Sequence, residues 1–219
     1  MWDSSMTALI VQGTFETLYM TLASTLLAYL IGLPMGVLLV TSDSEGIVPM
    51  KVLNQVLNIV VNITRSIPFL ILLIAVIPLT RLITGTTIGS TATIVPLVIA
   101  AAPFIARLVE SSIKEVDYGI IEASLSMGSS PMQVVTKVMI PEAKPSLIIG
   151  AAIATTTILG YSAMAGIVGG GGLGDIAIRF GYYRYETGMM VITVVLLVLI
   201  VQLFQEVGMK IAQKQDRRK

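Results

Sequence analysis

EASLSMGSSPMQVVTKVMIP, residues 122–141, is a polar and sharply punctuated interval set between long apolar runs. Its punctuation predicts two short helices joined by a tight turn. Asp117, just upstream, suits the N-cap of the first helix; Ile120, Ile121 and Leu125 recur at helical spacing; Gly128 suits the left-handed residue that closes a helix. Ser130, Pro131 and Gln133 then spell a capping box with proline in the first turn, where no N–H is needed. Val134, Val135, Val138 and Met139 supply an apolar stripe. Pro141 is expected to end this helix, since its ring removes a donor and crowds the preceding turn. The elbow so formed, over 117–141, is too short and too charged to span a bilayer. It is expected to lie on a membrane or against a partner.

Composition sets the surroundings of the elbow. The 219 residues are 55% hydrophobic and 12% charged, and the mean hydropathy is +0.89, more apolar than a soluble domain of this size can hide. The fold class expected is an all-α integral membrane protein. Cysteine and histidine are both absent, which removes thiolate and imidazole metal ligands and the commonest proton shuttle. With no carboxylate cluster at catalytic spacing either, an enzyme is the least favoured class, and neither a metal nor a catalytic residue is proposed.

Five spans are read from the apolar runs, each near the length that crosses ~30 Å of hydrocarbon. They fall at about 17–40, 53–79, 90–109, 146–168 and 187–207, within one transmembrane domain covering 1–219. No lysine or arginine precedes Lys51, so no cleaved signal peptide is expected. In the first span Gly32 and Gly36 form a GxxxG pair, readable as close packing within one subunit or as a dimer seam. In the second, Asn54, Asn58, Asn62 and Arg65 fall along one helix face, which lipid cannot cover. They fit a translocation-pathway wall or interhelical hydrogen bonding near the membrane edge. Pro68 bends or starts the most apolar part of that span. The fourth span is rich in small and hydroxylated residues, Thr155, Thr156, Thr157, Gly160 and Ser162 among them, and is expected to pack tightly or to line a path.

Gly169, Gly171 and Gly174 satisfy a literal G-x-G-x-x-G. No strand precedes them and no Gly-Lys-Ser/Thr follows, so nucleotide binding is set aside in favour of a flexible connector with close backbone packing. Arg107, Glu110 and Lys114 announce an aqueous face ahead of the elbow. Basic residues orient the chain: one side receives Lys51, Arg107, Lys114, Lys137, Lys144 and the tail residues Lys210, Lys214, Arg217, Arg218 and Lys219, the other only Arg81, Arg179 and Arg184. The positive-inside rule then puts the amino terminus outside and both the tail and the elbow in the cytoplasm.

The elbow resembles the EAA signature of ABC-importer permeases, written E-A-A, three residues, G, nine residues, I-x-L-P. Glu122, Ala123 and Gly128 match and Pro141 falls at the expected spacing, while Ser124, Val138 and Ile140 stand for alanine, isoleucine and leucine. NITRSIPFLILL, APFIARLVE, GYSAMAGIVGGGGLGD and FGYYRY look like the permeases of methionine importers, so the resemblance covers nearly the whole chain.

What the resemblance implies is a type I ABC importer permease fold in the bacterial cytoplasmic (inner) membrane, a homodimer bound to two cytoplasmic ATPase subunits and served by an extracytoplasmic methionine-binding lipoprotein. Lipid is its other neighbour, and nucleic acid is not a partner. ATP and Mg belong to the ATPase; this chain holds no cofactor and no phosphate loop. The elbow is then the coupling helix, with Glu122, Ala123, Ser124, Met127, Gly128, Ser130, Pro131 and Pro141 as its coupling residues. Met164 takes the position of a pore-closing residue across the two-fold axis, with Tyr161, Ser162, Asn62 and Arg65 along the path. The cargo implied is methionine, D and L forms and close derivatives. A permease for another small amino acid, and a non-transport scaffold or channel, remain the alternatives.

Overall fold

Nothing in SSMTALIVQGTFE breaks a helix, so the first one, α1 (Ser4–Thr41), runs 38 residues and starts well before the apolar span read from hydropathy. The structure, a computed structural model, describes residues 4–215. After a polar loop come α2 (Lys51–Ser66), α3 (Phe69–Ala75), α4 (Ile77–Thr84) and α5 (Ser90–Lys114). The elbow consists of α6 (Tyr118–Ser126), α7 (Pro131–Val134), a π turn (Val135–Met139) and α8 (Ile140–Glu142). Then follow α9 (Lys144–Ala165), a 3₁₀ turn (Gly166–Val168), α10 (Gly172–Ile176), a second π turn (Ala177–Tyr182) and α11 (Thr187–Gln215). The described residues contain no strand. Lys210 and Lys214 lie in α11, whereas Arg217, Arg218 and Lys219 lie outside the described residues.

Four helices are long and apolar enough to cross a membrane, and a fifth span is possible only as a bent pair: α2 and α3 meet at 104°. The interval 53–79 is therefore broken rather than straight. Pro68 is the cause, since it excludes the α conformation from the residue before it and sits extended, φ −56° and ψ 136°, at the start of α3. Pro141 behaves differently from the sequence expectation: it does not stop the helix. The backbone widens into the π turn over Val135–Met139, which accommodates the ring and its missing donor, and helix continues to Glu142 before a turn at Ala143 leads into α9.

The chain divides into two compact units. One comprises residues up to Leu27, Ile67–Ala101 and Thr155–Gln205; the other comprises Ala28–Ser66, Ala102–Ala154 and residues from Glu206 on. In the first unit the glycine-rich segment is tied down rather than flexible. The Gly172 N–H donates to Glu16 Oε2 and the Leu173 N–H to Thr17 Oγ1, both at 2.8 Å. The Gly89 N–H donates to the Gly169 carbonyl at 2.9 Å, and Thr93 Oγ1 lies 3.3 Å from the Gly170 carbonyl oxygen. A Cβ on Gly174 would stand 2.2 Å from the Ala163 carbonyl oxygen, so only glycine permits that approach.

In the second unit α1 meets α5 backbone to backbone. A Cβ on Gly32 would lie 2.7 Å from the Ala102 oxygen, and one on Gly36 would lie 2.6 Å from the Ala106 oxygen. The GxxxG pair is thus a packing face inside one chain. Leu39, Val61 and Ala106 are buried beside it, with Met35 and Leu57 packed on them. The lipid-length helix α11 is by contrast only 11% buried over its apolar window. That aliphatic surface belongs against lipid or another subunit.

Candidate functional site

The elbow is built from local hydrogen bonds. Asp117 Oδ1 accepts from the Gly119 N–H at 2.7 Å and caps α6. At the other end the Ser129 N–H donates to the Ser124 carbonyl at 3.2 Å and the Gly128 N–H to the Leu125 carbonyl at 2.9 Å. This pair of bonds is a Schellman closure, and it places Gly128 at φ +84°, a left-handed conformation that a side chain would strain. Ser130 and Gln133 complete the capping box: the Ser130 N–H donates to Gln133 Oε1 at 2.9 Å and the Gln133 N–H to Ser130 Oγ at 3.4 Å.

Burial sorts the elbow residues. Ile121, Val134, Val135 and Met139 turn inward. Glu122, Ala123, Met127, Gly128, Ser130, Pro131 and Pro141 are exposed. Ser124 is buried and donates to Ser129 Oγ at 3.1 Å, so its hydroxyl serves the turn. Ile120, expected from its spacing to share a side with Ile121 and Leu125, points out instead, with Tyr118, Met127 and Met132. A short helix with apolar residues on both sides cannot be oriented by hydropathy alone. The result is an exposed surface of mixed apolar and acidic character on a rigidly capped turn. Beside it, a pocket of about 420 Å³ has an apolar floor that includes Ile113, Val116, Ile121 and Met139 and a rim of Asp43, Glu45 and Lys114.

The asparagine face of α2 has partners in its own unit. Asn54 Nδ2 donates to the Leu39 carbonyl at 2.8 Å and lies 3.2 Å from Ser42 Oγ. Asn58 Nδ2 donates to Asn54 Oδ1 at 2.8 Å. One Arg107 nitrogen donates to Asn58 Oδ1 and Asn62 Oδ1, each at 2.7 Å, and the other binds Glu110 Oε2. Glu110 Oε1 accepts from Lys114 at 2.9 Å, and Lys114 reaches Asp43 at 3.6 Å. The Ser44 backbone N–H, 2.6 Å from Asp43 Oδ1, holds that carboxyl below its ordinary pKa, with Lys114 adding to the shift. In the sequence Arg107, Glu110 and Lys114 mark only an aqueous face. The missed signal was that a ladder of asparagines along one face of an apolar helix needs a donor, and Arg107 closes an apolar run on a neighbouring helix.

Of the expected path residues, Asn62 and Arg65 lie in the second unit and are exposed. Arg65 has no hydrogen bond or ion pair among the described residues. Tyr161, Ser162 and Met164 lie in the first unit on α9. Tyr161 stacks flat on Phe69, ring centroids 4.5 Å apart and 4° from parallel. Ser162 is buried and donates to the Leu159 carbonyl at 2.8 Å, so it serves its own helix. Met164 is 39% exposed, free of the core of its own chain.

Comparison with known proteins adds a family and relatives. Residues 28–210 match the family described as binding-protein-dependent transport system inner membrane component. The chain is 47% identical over 217 residues to the probable D-methionine transport system permease protein MetI of Vibrio cholerae, covering 99% of this chain and 96% of that one. It is 51% identical over 158 residues to the D-methionine transport system permease protein MetI of Escherichia coli K12, with 72% and 73% covered. A chain of the inward-facing MetNI methionine ABC transporter superposes with a TM-score of 0.97 at 48% identity, over 99% of this chain and 100% of that one. An amino acid ABC transporter at 22% identity shares the fold, with a TM-score of 0.78 over 96% and 95% of the two chains.

Proposed function

The chain belongs to the family of binding-protein-dependent transport system inner membrane components, and from that premise we propose that it is the permease subunit of an ATP-driven methionine importer. It is a non-catalytic subunit of the type I permease fold, so the energy for transport enters through a partner. The observation that carries the substrate is the end-to-end likeness to permeases of D-methionine systems.

In this reading two copies of the chain form the passage, two ATPase subunits bind the elbows from the cytoplasm, and a methionine-binding lipoprotein delivers cargo from outside. ATP and Mg act in the ATPase. The exposed set Glu122, Ala123, Met127, Gly128, Ser130 and Pro131 supplies the docking face, and the capped turn beneath it makes that face stiff. Stiffness matters because ATP shifts a transporter only by stabilising one conformation over another. A docking element that yielded would dissipate that difference locally. Met164, exposed on its own subunit and carrying a flexible, polarizable side chain, suits a plug met by its twin across the dimer axis. Exposed Asn62 and Arg65 suit the wetted wall, since neither belongs against lipid. Ser162 and Tyr161 support α9 more than they line a path. The tail and elbow are cytoplasmic and the amino terminus external, by the bias of basic residues.

The test is uptake by the complex reconstituted in liposomes with its ATPase and binding protein. ATP-dependent accumulation of L- and D-methionine above a panel of other amino acids is expected. Uptake of a different amino acid in preference to both, or flux without ATP, would overturn the reading.

A further inference from the structure

The polar chain that links Asp43, Lys114, Glu110, Arg107, Asn58 and Asn62 lies wholly in one unit, and only its last member, Asn62, has a role in the passage described above. It joins three separate pieces of that unit: the loop after α1, the end of α5, and the face of α2. Its middle and its ends differ in character. Arg107 and Glu110 have side chains 21% and 12% exposed, where an unpaired charge is costly and a partner is held firmly. Lys114 and Asp43 are 50% and 41% exposed, and their separation of 3.6 Å is the longest in the chain. An exposed pair of this kind adds little to stability. It is, however, the link most easily made or broken by a small displacement.

The two ends sit at informative places. Asp43 and Lys114 share a pocket with Tyr118, Ile121 and Met139 of the elbow, and Lys114 is three residues ahead of Asp117, the cap of α6. At the far end, one Arg107 nitrogen is divided between the amide oxygens of Asn58 and Asn62, a turn apart on α2. A guanidinium is a planar fork whose bonds cannot all follow a partner that moves. Displacing Glu110 therefore re-aims the group that holds the asparagine face.

We infer that Glu110 is the positioning residue of a polar relay that carries movement at the base of the elbow to the asparagine face of α2, which ends at the exposed Asn62. One carboxylate oxygen holds Lys114 and the other holds Arg107, so the two halves of the relay meet at Glu110. This inference rests on the importer reading above and adds a route inside the subunit by which a docked ATPase alters the passage wall. Buried ion pairs often contribute little net stability compared with apolar replacements. A stability role alone does not account for an oriented chain running from loop to helix face.

The test is a double-mutant cycle in the reconstituted complex, reading methionine taken up per ATP hydrolysed. Lys114→Met and Asn62→Ala alter exposed ends that share no contact, so neither threatens the fold. Each is expected to lower the ratio about fivefold, the lower end of ordinary coupling between sites. The double variant is expected to fall no further than the worse single one, because both cut the same line. Glu110→Gln, which keeps the shape and removes the charge, is expected to match them. Effects that multiply in the double variant, or ratios unchanged in the single ones, overturn the relay while leaving the importer reading intact. Absence of ATP-dependent uptake by the unaltered complex removes the importer reading and the relay with it.

Discussion

Replacing Gly36 by alanine tests the seam between α1 and α5, on which the second unit rests. The added Cβ would lie 2.6 Å from both the Ala106 carbonyl oxygen and Val109 Cβ, and 2.7 Å from Val109 Cγ1. Ordinary contact begins near 3.4 Å, so the helices must part by about 0.8 Å, a gap that forfeits a quarter to a half of each dispersion contact across it. The obstacles are main chain and a β-branched residue, neither of which can swing aside. Overpacking of this kind costs about 3 kcal/mol at the upper end, while alanine regains about 1 kcal/mol of helix propensity. The net expectation is a loss of about 2 kcal/mol. Gly150→Ala provides the opposite sign in the same unit: its Cβ meets Leu108 Cβ at 3.6 Å, ordinary contact, so only the gain of about 1 kcal/mol remains. Unfolding in mixed micelles, followed by circular dichroism, measures both. Equal stability of the two variants would refute the packing argument. A Gly36→Ala chain that unfolds normally yet fails to associate would point to a seam between subunits instead.

Other outcomes can be checked in parallel. Glu122→Lys, and Gly128→Val with its strain of about 1–2 kcal/mol at a left-handed position, should insert normally but lose ATPase assembly or coupling; unimpaired uptake by both would count heavily against the elbow's role. Met164→Ala should raise leak or basal flux through the complex, and flux equal to the unaltered protein would leave packing as the methionine's task. Glu16→Ala leaves the Gly172 N–H without its acceptor and should lower the stability of the first unit by about 1–3 kcal/mol in the same micelle assay, whereas Glu16→Gln, which retains an acceptor, should not. A reporter joined after Lys214 should be reached only from the cytoplasm, and access from outside alone would reverse the orientation.

Features encoded by neighbours in sequence are legible in the sequence itself. The Asp117 cap, the left-handed Gly128 and the Ser130–Gln133 box each depend on three to six consecutive residues, and all three occur in the structure. The all-helical membrane class was equally plain, because apolar content of this order has few other homes. What escaped reading depends on groups far apart. Pro141 reads as a stop because an ideal helix has no room for it, yet a π turn beginning six residues earlier makes that room. Pro68 marked a bend, but nothing in the local sequence gives its size of 104°. Ile120 faces out while Ile121 is buried, since hydropathy does not reveal which face a partner will cover. The pairing of Arg107 with Asn58 and Asn62 spans 49 and 45 residues, and no periodicity announces it.

The anchoring of the glycine-rich turn has a consequence for how the chain is made. Glu16 and Thr17 lie 156 residues ahead of the amides they receive. On a ribosome that emits the chain from its amino terminus, α1 enters the bilayer long before residues 172 and 173 exist. The first unit therefore stays unlatched through most of synthesis, and its closure is a late event with a large loop to gather in. A chain cut between the end of α9 and that turn keeps every long helix up to α9 but no latch, and such fragments should be the ones that membrane proteases clear first.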